Sequence, residues 1–354
     1  MIRTIDYSQF SRRLHKLSQE SDIPINGTIE VTRHCNLGCA HCYIKDNSRK
    51  DELTYNEICR IIDEVTEAGC LWLLITGGEP LIRQDFYDIY RYAKGKGLII
   101  TLFTNGTLVT EETVKILKRW PPFLVDVTLY GATRGTYEAF TGVEGSYDAC
   151  MEGIEWLLRY KIPLGLKAMV TTINKHEIQE MKRLASSLGV NFRYDPTLNP
   201  RLDGSTTPYD VRLTPEEVVE FDMGDRDRTR EWKELYERFY KPASKEYIFN
   251  CGAGRGGFHI TSYGRLWVCG LFPEPDWDLR DRSFIDGYRL FDGIRKKRIR
   301  GKESCSGCEH IIFCNSCPGI SILEGNRDGE APVRYHCEVA RRRAEYIKGL
   351  SRLP

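Results

Sequence analysis

Six short β-rich runs alternate with longer amphipathic stretches between Gly27 and about residue 220, the order that builds βα units on a parallel sheet. The runs are "TIEV" (28–31), "LWLLIT" (71–76), "LIITLF" (98–103), "FLVDVTLY" (123–130), "LGLKAMVT" (164–171) and "NFRYD" (191–195). A helix is expected over 55–68, because Thr54 can cap it and Glu57 stands in capping-box position. The loops that leave the runs, "CNLGCAHCY", "GGEP", "TNGT" and "YGATRG", are polar or glycine-rich. In a parallel α/β barrel these loops share the rim at the strand C-termini, where the chemistry of such folds sits. An open, doubly wound sheet is the other arrangement that the same order allows.

With 354 residues the chain can bury a large core without covalent staples, so its thirteen cysteines need another reason. The opening stretch "MIRTIDYSQFSRRLHKLSQE" carries charges and lacks the apolar segment of a signal peptide, so a reducing, cytoplasmic location is expected. There, cysteines at short regular spacings read as metal or cluster ligands before they read as disulfides. Fifty-one basic against fifty acidic residues demand neither nucleic acid nor an anionic membrane, and no apolar run approaches a membrane span.

Cys35, Cys39 and Cys42 lie in CxxxCxxC spacing just past the first run. They stand too close for an ordinary four-ligand zinc site, although His41 offers a further zinc donor. A [4Fe-4S] cluster with one iron lacking a protein ligand accounts better for three thiolates, because a small molecule can coordinate there. Thr76, Gly77, Gly78, Glu79 and Pro80 follow the second run; alone, that segment reads as a strand-to-turn stop. Together, the cysteine loop and GGEP resemble the radical S-adenosylmethionine (radical SAM) enzymes. The resemblance implies a partial (β/α)6 TIM barrel, a SAM-binding [4Fe-4S] cluster on Cys35, Cys39 and Cys42, and SAM bound through the open iron. It further implies that Gly77, Gly78 and Glu79 receive the SAM ammonium, that His41 lies near the adenine, and that Asn105 and Thr128 contact the methionine and ribose portions. An Asn-Gly turn at Asn105 needs no ligand to explain it. The arginine that many relatives carry beyond the fourth strand falls here near Phe140. Lys167 on the fifth run either supplies a charge toward the SAM carboxylate or snorkels.

A second cysteine region holds Cys251, Cys269, Cys305, Cys308, Cys314, Cys317 and Cys337, with "CSGCEHIIFCNSC" at its centre. By spacing alone this core suits a zinc ribbon or knuckle equally well. As a seven-cysteine array with Gly264 ahead of Cys269, it resembles the SPASM extension of radical SAM enzymes, which holds two auxiliary [4Fe-4S] clusters. Here the core is one residue shorter before its last member. The resemblance puts Cys305, Cys308, Cys314 and Cys337 on the outer cluster and Cys251, Cys269 and Cys317 on the inner one. Seven thiolates for eight positions leave the inner cluster with an open iron or a borrowed ligand such as His259, which otherwise reads as a buried strand histidine. Cys59, Cys70 and Cys150 read as apolar packers.

The expected organisation is an N-terminal segment (1–26), a radical SAM partial barrel (27–221), a charged helical connector (222–248) and a C-terminal cysteine-rich SPASM domain (249–354). The expected function is reductive cleavage of SAM to a 5′-deoxyadenosyl radical and oxidative modification of a ribosomally made peptide, of crosslink or thioether type. A residue before Gly27 belongs to too short a segment for a peptide-recognition domain, which needs on the order of eighty residues, so a separate leader-binding protein is expected. A ferredoxin- or flavodoxin-type reductant is expected too. Gly270, where sulfatase-maturing relatives carry an acid, disfavours that activity. The basic run 293–302 could meet an acidic leader, although a solvated helix is its ordinary reading. Two alternatives stay open: a radical SAM enzyme acting on a small molecule such as a tetrapyrrole or cofactor precursor, and a zinc-binding interaction protein.

Overall fold

The computed structural model describes residues 6–44, 50–239, 247–249, 251–298, 305, 307–326, 329 and 331–350. Strands β1 (Asn26–Glu30), β2 (Trp72–Thr76), β3 (Ile99–Thr104), β4 (Leu124–Thr128), β5 (Leu164–Met169) and β6 (Asn191–Asp195) fall on the six β-rich runs. They pair in parallel and in sequence order, β6-β5-β4-β3-β2-β1, as successive βα units require. Three further strands, β7 (Gly257–Ile260), β8 (Arg265–Cys269) and β9 (Phe272–Asp278), extend the same sheet. β7 pairs in parallel with β1, while β8 and β9 fold back antiparallel, giving nine strands in one sheet.

Alternation along the strands separates two faces. Ile100 and Leu102 on β3, Val125 and Val127 on β4 and Leu166 on β5 are buried in a core cluster that continues through Phe258, Leu266 and Phe272 of the added strands. The opposite, inner face mixes polar and charged residues such as Thr101, Asp126 and Lys167 with apolar ones such as Leu74 and Phe103. Register sets Thr128 beside Lys167 and Lys167 beside Arg193, one row nearer the rim than Phe103, Asp126, Gly165 and Asn191.

The helix expected over 55–68 spans Tyr55–Glu67, and the Thr54–Glu57 capping box forms in full. The charged connector differs from a single helix. Pro215–Gly224 and Arg226–Phe239 are separate helices meeting at Asp225, and residues 240–246 lie outside the described residues. Asp225 makes the break: its backbone is extended and its Oδ1 accepts the Asp227 N–H at 3.0 Å, capping the second helix, while the fully buried Asp222 accepts from Arg228 Nε at 2.9 Å and Arg343 Nε at 2.6 Å. Arg343 also donates to the Phe313 carbonyl at 3.0 Å, so one buried arginine joins the C-terminal helix Arg334–Leu350, the connector and the last cysteine loop. Phe313, Ala340, Ala344 and Ile347 form a small second core there. No helix among the described residues is long and apolar enough to cross a membrane. In the basic run, residues 299–302 lie outside the described residues.

Candidate functional site

The first cysteine loop leaves β1 and is pinned on three sides. From the helix side, Gly38 N–H donates to the Thr141 carbonyl at 2.8 Å and Ala40 N–H to the Phe140 carbonyl at 3.1 Å. From the β3 end, Asn105 Nδ2 donates to Asn36 Oδ1 at 2.9 Å and lies 3.8 Å from Cys35 Sγ. From the β2 end, Gly78 N–H donates to the Thr32 carbonyl and Glu79 N–H to the His34 carbonyl. The paired glycines have a packing reason, since a Cβ on Gly77 would run into the Thr32 carbonyl and one on Gly78 into those of Arg33 and His34. The backbone they admit is this loop's own. Glu52 completes the frame by accepting from Arg33 N–H at 2.6 Å and Thr32 Oγ1 at 3.0 Å.

Burial disfavours the charged form of each loop thiol. It pushes the Cys35 thiol up to about 11 and the Cys39 thiol up to about 12, and each also lies in the field of neighbouring loop thiols. A bound cation would reverse that balance, as it deprotonates coordinating thiols. Cys35 Sγ already accepts the Leu37 N–H at 3.4 Å, the kind of bond that stabilises a thiolate. These donors fit a cluster.

Glu79 is fully buried. Its Oε1 accepts from Thr104 Oγ1 at 2.8 Å and Leu81 N–H at 3.0 Å, and its Oε2 from Asn105 N–H at 2.7 Å. Burial nevertheless outweighs these bonds and pushes the carboxyl up to about 7. His41 Nδ1 is buried with no hydrogen-bond partner, and the ring packs 5.0 Å from Phe140 and 5.6 Å from Tyr130. Burial first, then the Lys167 cation, hold His41 down to about 4, so the imidazole is neutral at neutral pH. Phe140, near which the resemblance looks for an arginine, is buried against the His41 ring. A different cation faces this loop: Arg201, beyond β6, opposes the burial that raises the Cys42 thiol, and its Nε is buried without a partner. Thr128 stands on the inner face beside Lys167.

No disulfide forms among the described residues, and Cys59, Cys70 and Cys150 are buried as apolar packers. The seven downstream cysteines sort into two groups. Burial, with the fields of Cys317 and Cys251, pushes the Cys269 thiol up to about 11, and burial with the fields of Cys314, Cys305 and Cys308 does the same to Cys337. Cys314 Sγ accepts the Ser316 N–H at 3.4 Å, repeating the bond seen at Cys35. Among the described residues, no three His, Cys, Asp or Glu side chains surround a point that fits a metal ion. His259 is a buried strand histidine: Nε2 meets Glu30 Oε1 at 3.1 Å and the ring stacks on Trp267. Glu30 also pairs with Arg33 at 3.2 Å. Residues 229 positions apart make the His259–Glu30 bond, which strand periodicity does not announce.

The radical SAM superfamily matches residues 29–185. An AdoMet-dependent heme synthase of Methanosarcina barkeri is 30% identical over 313 residues, covering 81% of this chain and 89% of that protein. The mycofactocin maturase MftC of Mycobacterium tuberculosis is 27% identical over 359 residues, covering 96% of this chain and 90% of its own. Streptococcus suis SuiB, solved with precursor peptide SuiA, superposes with a TM-score of 0.67 at 17% identity, over 95% of this chain and 82% of that one. That likeness is one of fold and agrees with a partial TIM barrel. Similarity over most of both chains, with three thiols on the first strand's loop, makes this chain a member of the radical SAM superfamily, whose chemistry runs on a [4Fe-4S] cluster and S-adenosylmethionine.

Proposed function

We propose that Cys35, Cys39 and Cys42 hold the SAM-binding cluster, that Cys305, Cys308, Cys314 and Cys337 hold an outer auxiliary [4Fe-4S] cluster, and that Cys251, Cys269 and Cys317 hold an inner one. The substrate in this reading is a ribosomally made peptide, oxidised to a crosslink or thioether. The observation that carries the reading is the sorting of ten cysteines into three neighbourhoods, the first on the rim beside Glu79 and Asn105.

SAM and its cluster supply a 5′-deoxyadenosyl radical able to abstract hydrogen from carbon. The chain's own residues bind and orient. Glu79 has one lone pair left for the SAM ammonium after its three hydrogen bonds, and His41 offers a neutral ring to the adenine. Asn105 fixes Cys35, while Thr128 faces the ribose side. Residues 249–354 act as the auxiliary region, fused to the barrel through β7.

A peptide suits the barrel because its inner face stays open at β6, where Asn191, Arg193 and Asp195 are exposed. SuiB was solved with a precursor peptide, and MftC is a maturase. A separate leader-binding protein, a ferredoxin- or flavodoxin-type reductant and a cytoplasmic setting complete the proposal. The heme synthase at 30% identity favours one second reading, a tetrapyrrole at the same mouth. Anaerobically reconstituted protein given SAM, a reductant and either precursor peptides encoded nearby or an iron porphyrin decides between them. A mass decrease of about 2 Da on a peptide, coupled to 5′-deoxyadenosine, supports the first reading. Turnover of the porphyrin alone replaces it with the second.

A further inference from the structure

On the β5–β6 side of the inner face two cations stand side by side. Lys167 and Arg193 are register partners on neighbouring strands. Arg193 reaches across β5 to Asp126 on β4, and Gly165 leaves the space, since a Cβ there would lie 3.0 Å from Asp126 Oδ1. Lys167 bends over the Phe103 ring, with Nζ 2.9 Å from the ring centroid. Among the described residues no hydrogen bond or ion pair to Lys167 is formed: Asp126 pairs with Arg193, and Glu79 acts on the lysine only through its field. Burial, partly offset by Asp126 and Glu79 and reinforced by the neighbouring Arg193 cation, holds the lysine down to about 7. The guanidinium has five donors, and its side chain remains 63% exposed to the open side.

We propose that Lys167 and Arg193 together bind a carboxylate of the substrate, with Phe103 as the apolar floor beside it. This assignment rests on the barrel mouth being the substrate site, and it deepens that reading by naming a carboxylate-bearing substrate. A second acid satisfies the lysine, shares the free edge of Arg193 and neutralises the pair. The floor favours a carboxylate carried on an apolar or aromatic group.

Equilibrium dialysis of labelled 3-phenylpropionate against the anaerobically reconstituted protein in saturating SAM tests this, with 3-phenylpropionamide as the uncharged control. The acid should bind about ten-fold more tightly than the amide, and Lys167→Met and Arg193→Gln should each erase most of that preference. Equal or undetectable binding of acid and amide overturns the proposal. So does an acid preference unchanged in Arg193→Gln, whose exposed position keeps the test valid should Lys167→Met fail to fold. Lys167→Met that loses SAM affinity but keeps the acid preference assigns the lysine to SAM's own carboxylate and also overturns it. Acid preference in a protein that modifies no peptide leaves this site standing and removes only the peptide reading.

Discussion

The Glu79 carboxylate accepts the Asn105 N–H at 2.7 Å, so the loop after β2 is tied to the loop after β3 through the group proposed to meet the SAM ammonium. Three donors surround that carboxylate, and Glu79→Gln would turn an NH2 against one of them. The expected result is a loss of about 1 to 3 kcal/mol in stability of the SAM-free protein, together with a roughly ten-fold weaker SAM affinity. Chemical denaturation and equilibrium dialysis measure the two separately. An unchanged dissociation constant beside a lowered stability would leave Glu79 a loop anchor only.

The same carboxyl gives a pH signature. Its folded value of about 7 lies above the ordinary 4.5, so between these values the folded SAM-free protein holds a proton that the unfolded chain has released. Its contribution to stability is fully present below about 4.5 and is lost as pH rises toward 7. The stability difference between wild type and Glu79→Gln should therefore change between pH 5 and pH 8. A difference constant with pH would contradict the buried, raised carboxyl.

Replacing Cys35, Cys39 and Cys42 together by Ala should abolish 5′-deoxyadenosine formation and lower bound iron from about twelve to about eight per chain. Iron analysis with electron paramagnetic resonance reads both. Retained SAM cleavage would remove the assignment of the first loop.

Glu177 is the hinge pin of the helix Arg134–Thr141. Its carboxylate accepts from Ala132 N–H at 2.6 Å, Thr133 N–H at 3.1 Å, Thr133 Oγ1 at 2.6 Å and Thr136 Oγ1 at 2.7 Å. Burial works against its charge, but these bonds win and hold it below the ordinary carboxyl value. The stabilisation is therefore present above about 4.5 and is lost as pH falls through the lower folded value. Glu177→Ala should cost about 2 kcal/mol at pH 7 and less at pH 3, as read by denaturant melts. That helix carries Phe140 and Thr141, whose carbonyls hold the cluster loop, so SAM affinity should fall as well.

Asp222→Ala strands the buried Arg343 and should cost about 3 to 5 kcal/mol. Because Arg343 also holds the Phe313 carbonyl beside Cys314, the outer-cluster iron should be lost before the rim cluster's. Loss of all iron together would place the damage elsewhere.

Much of this was readable in advance, for local reasons. β6 matches its run residue for residue, and Thr54 with Glu57 marked a helix start, because alternation and capping are properties of neighbouring residues. The cysteine loops stand out by their spacing, which in the second region suits zinc as well as a cluster. The inner-face charges were harder to find: Asp126, Lys167 and Arg193 sit in three different runs, and only register puts them together. Glu52 and Arg201 had no spacing signal, since each acts on a loop distant in sequence, and Glu30 meets His259 only because β7 pairs with β1. The two glycines after β2 read in the sequence as room for a ligand beside the backbone, whereas the close approach they admit is that of the Thr32–His34 backbone, which no local pattern announces.

The parallel pairing of β7 with β1 means that the cysteine-rich region is not hung from the barrel on a tether; it is hydrogen-bonded into the barrel's first edge. A protein cut after residue 248 would bare the N–H and C=O row of β1, from Asn26 to Ile29, to any passing strand. Such a truncated barrel would self-associate before it could be studied as a free-standing catalyst, and the two halves should melt in one cooperative step.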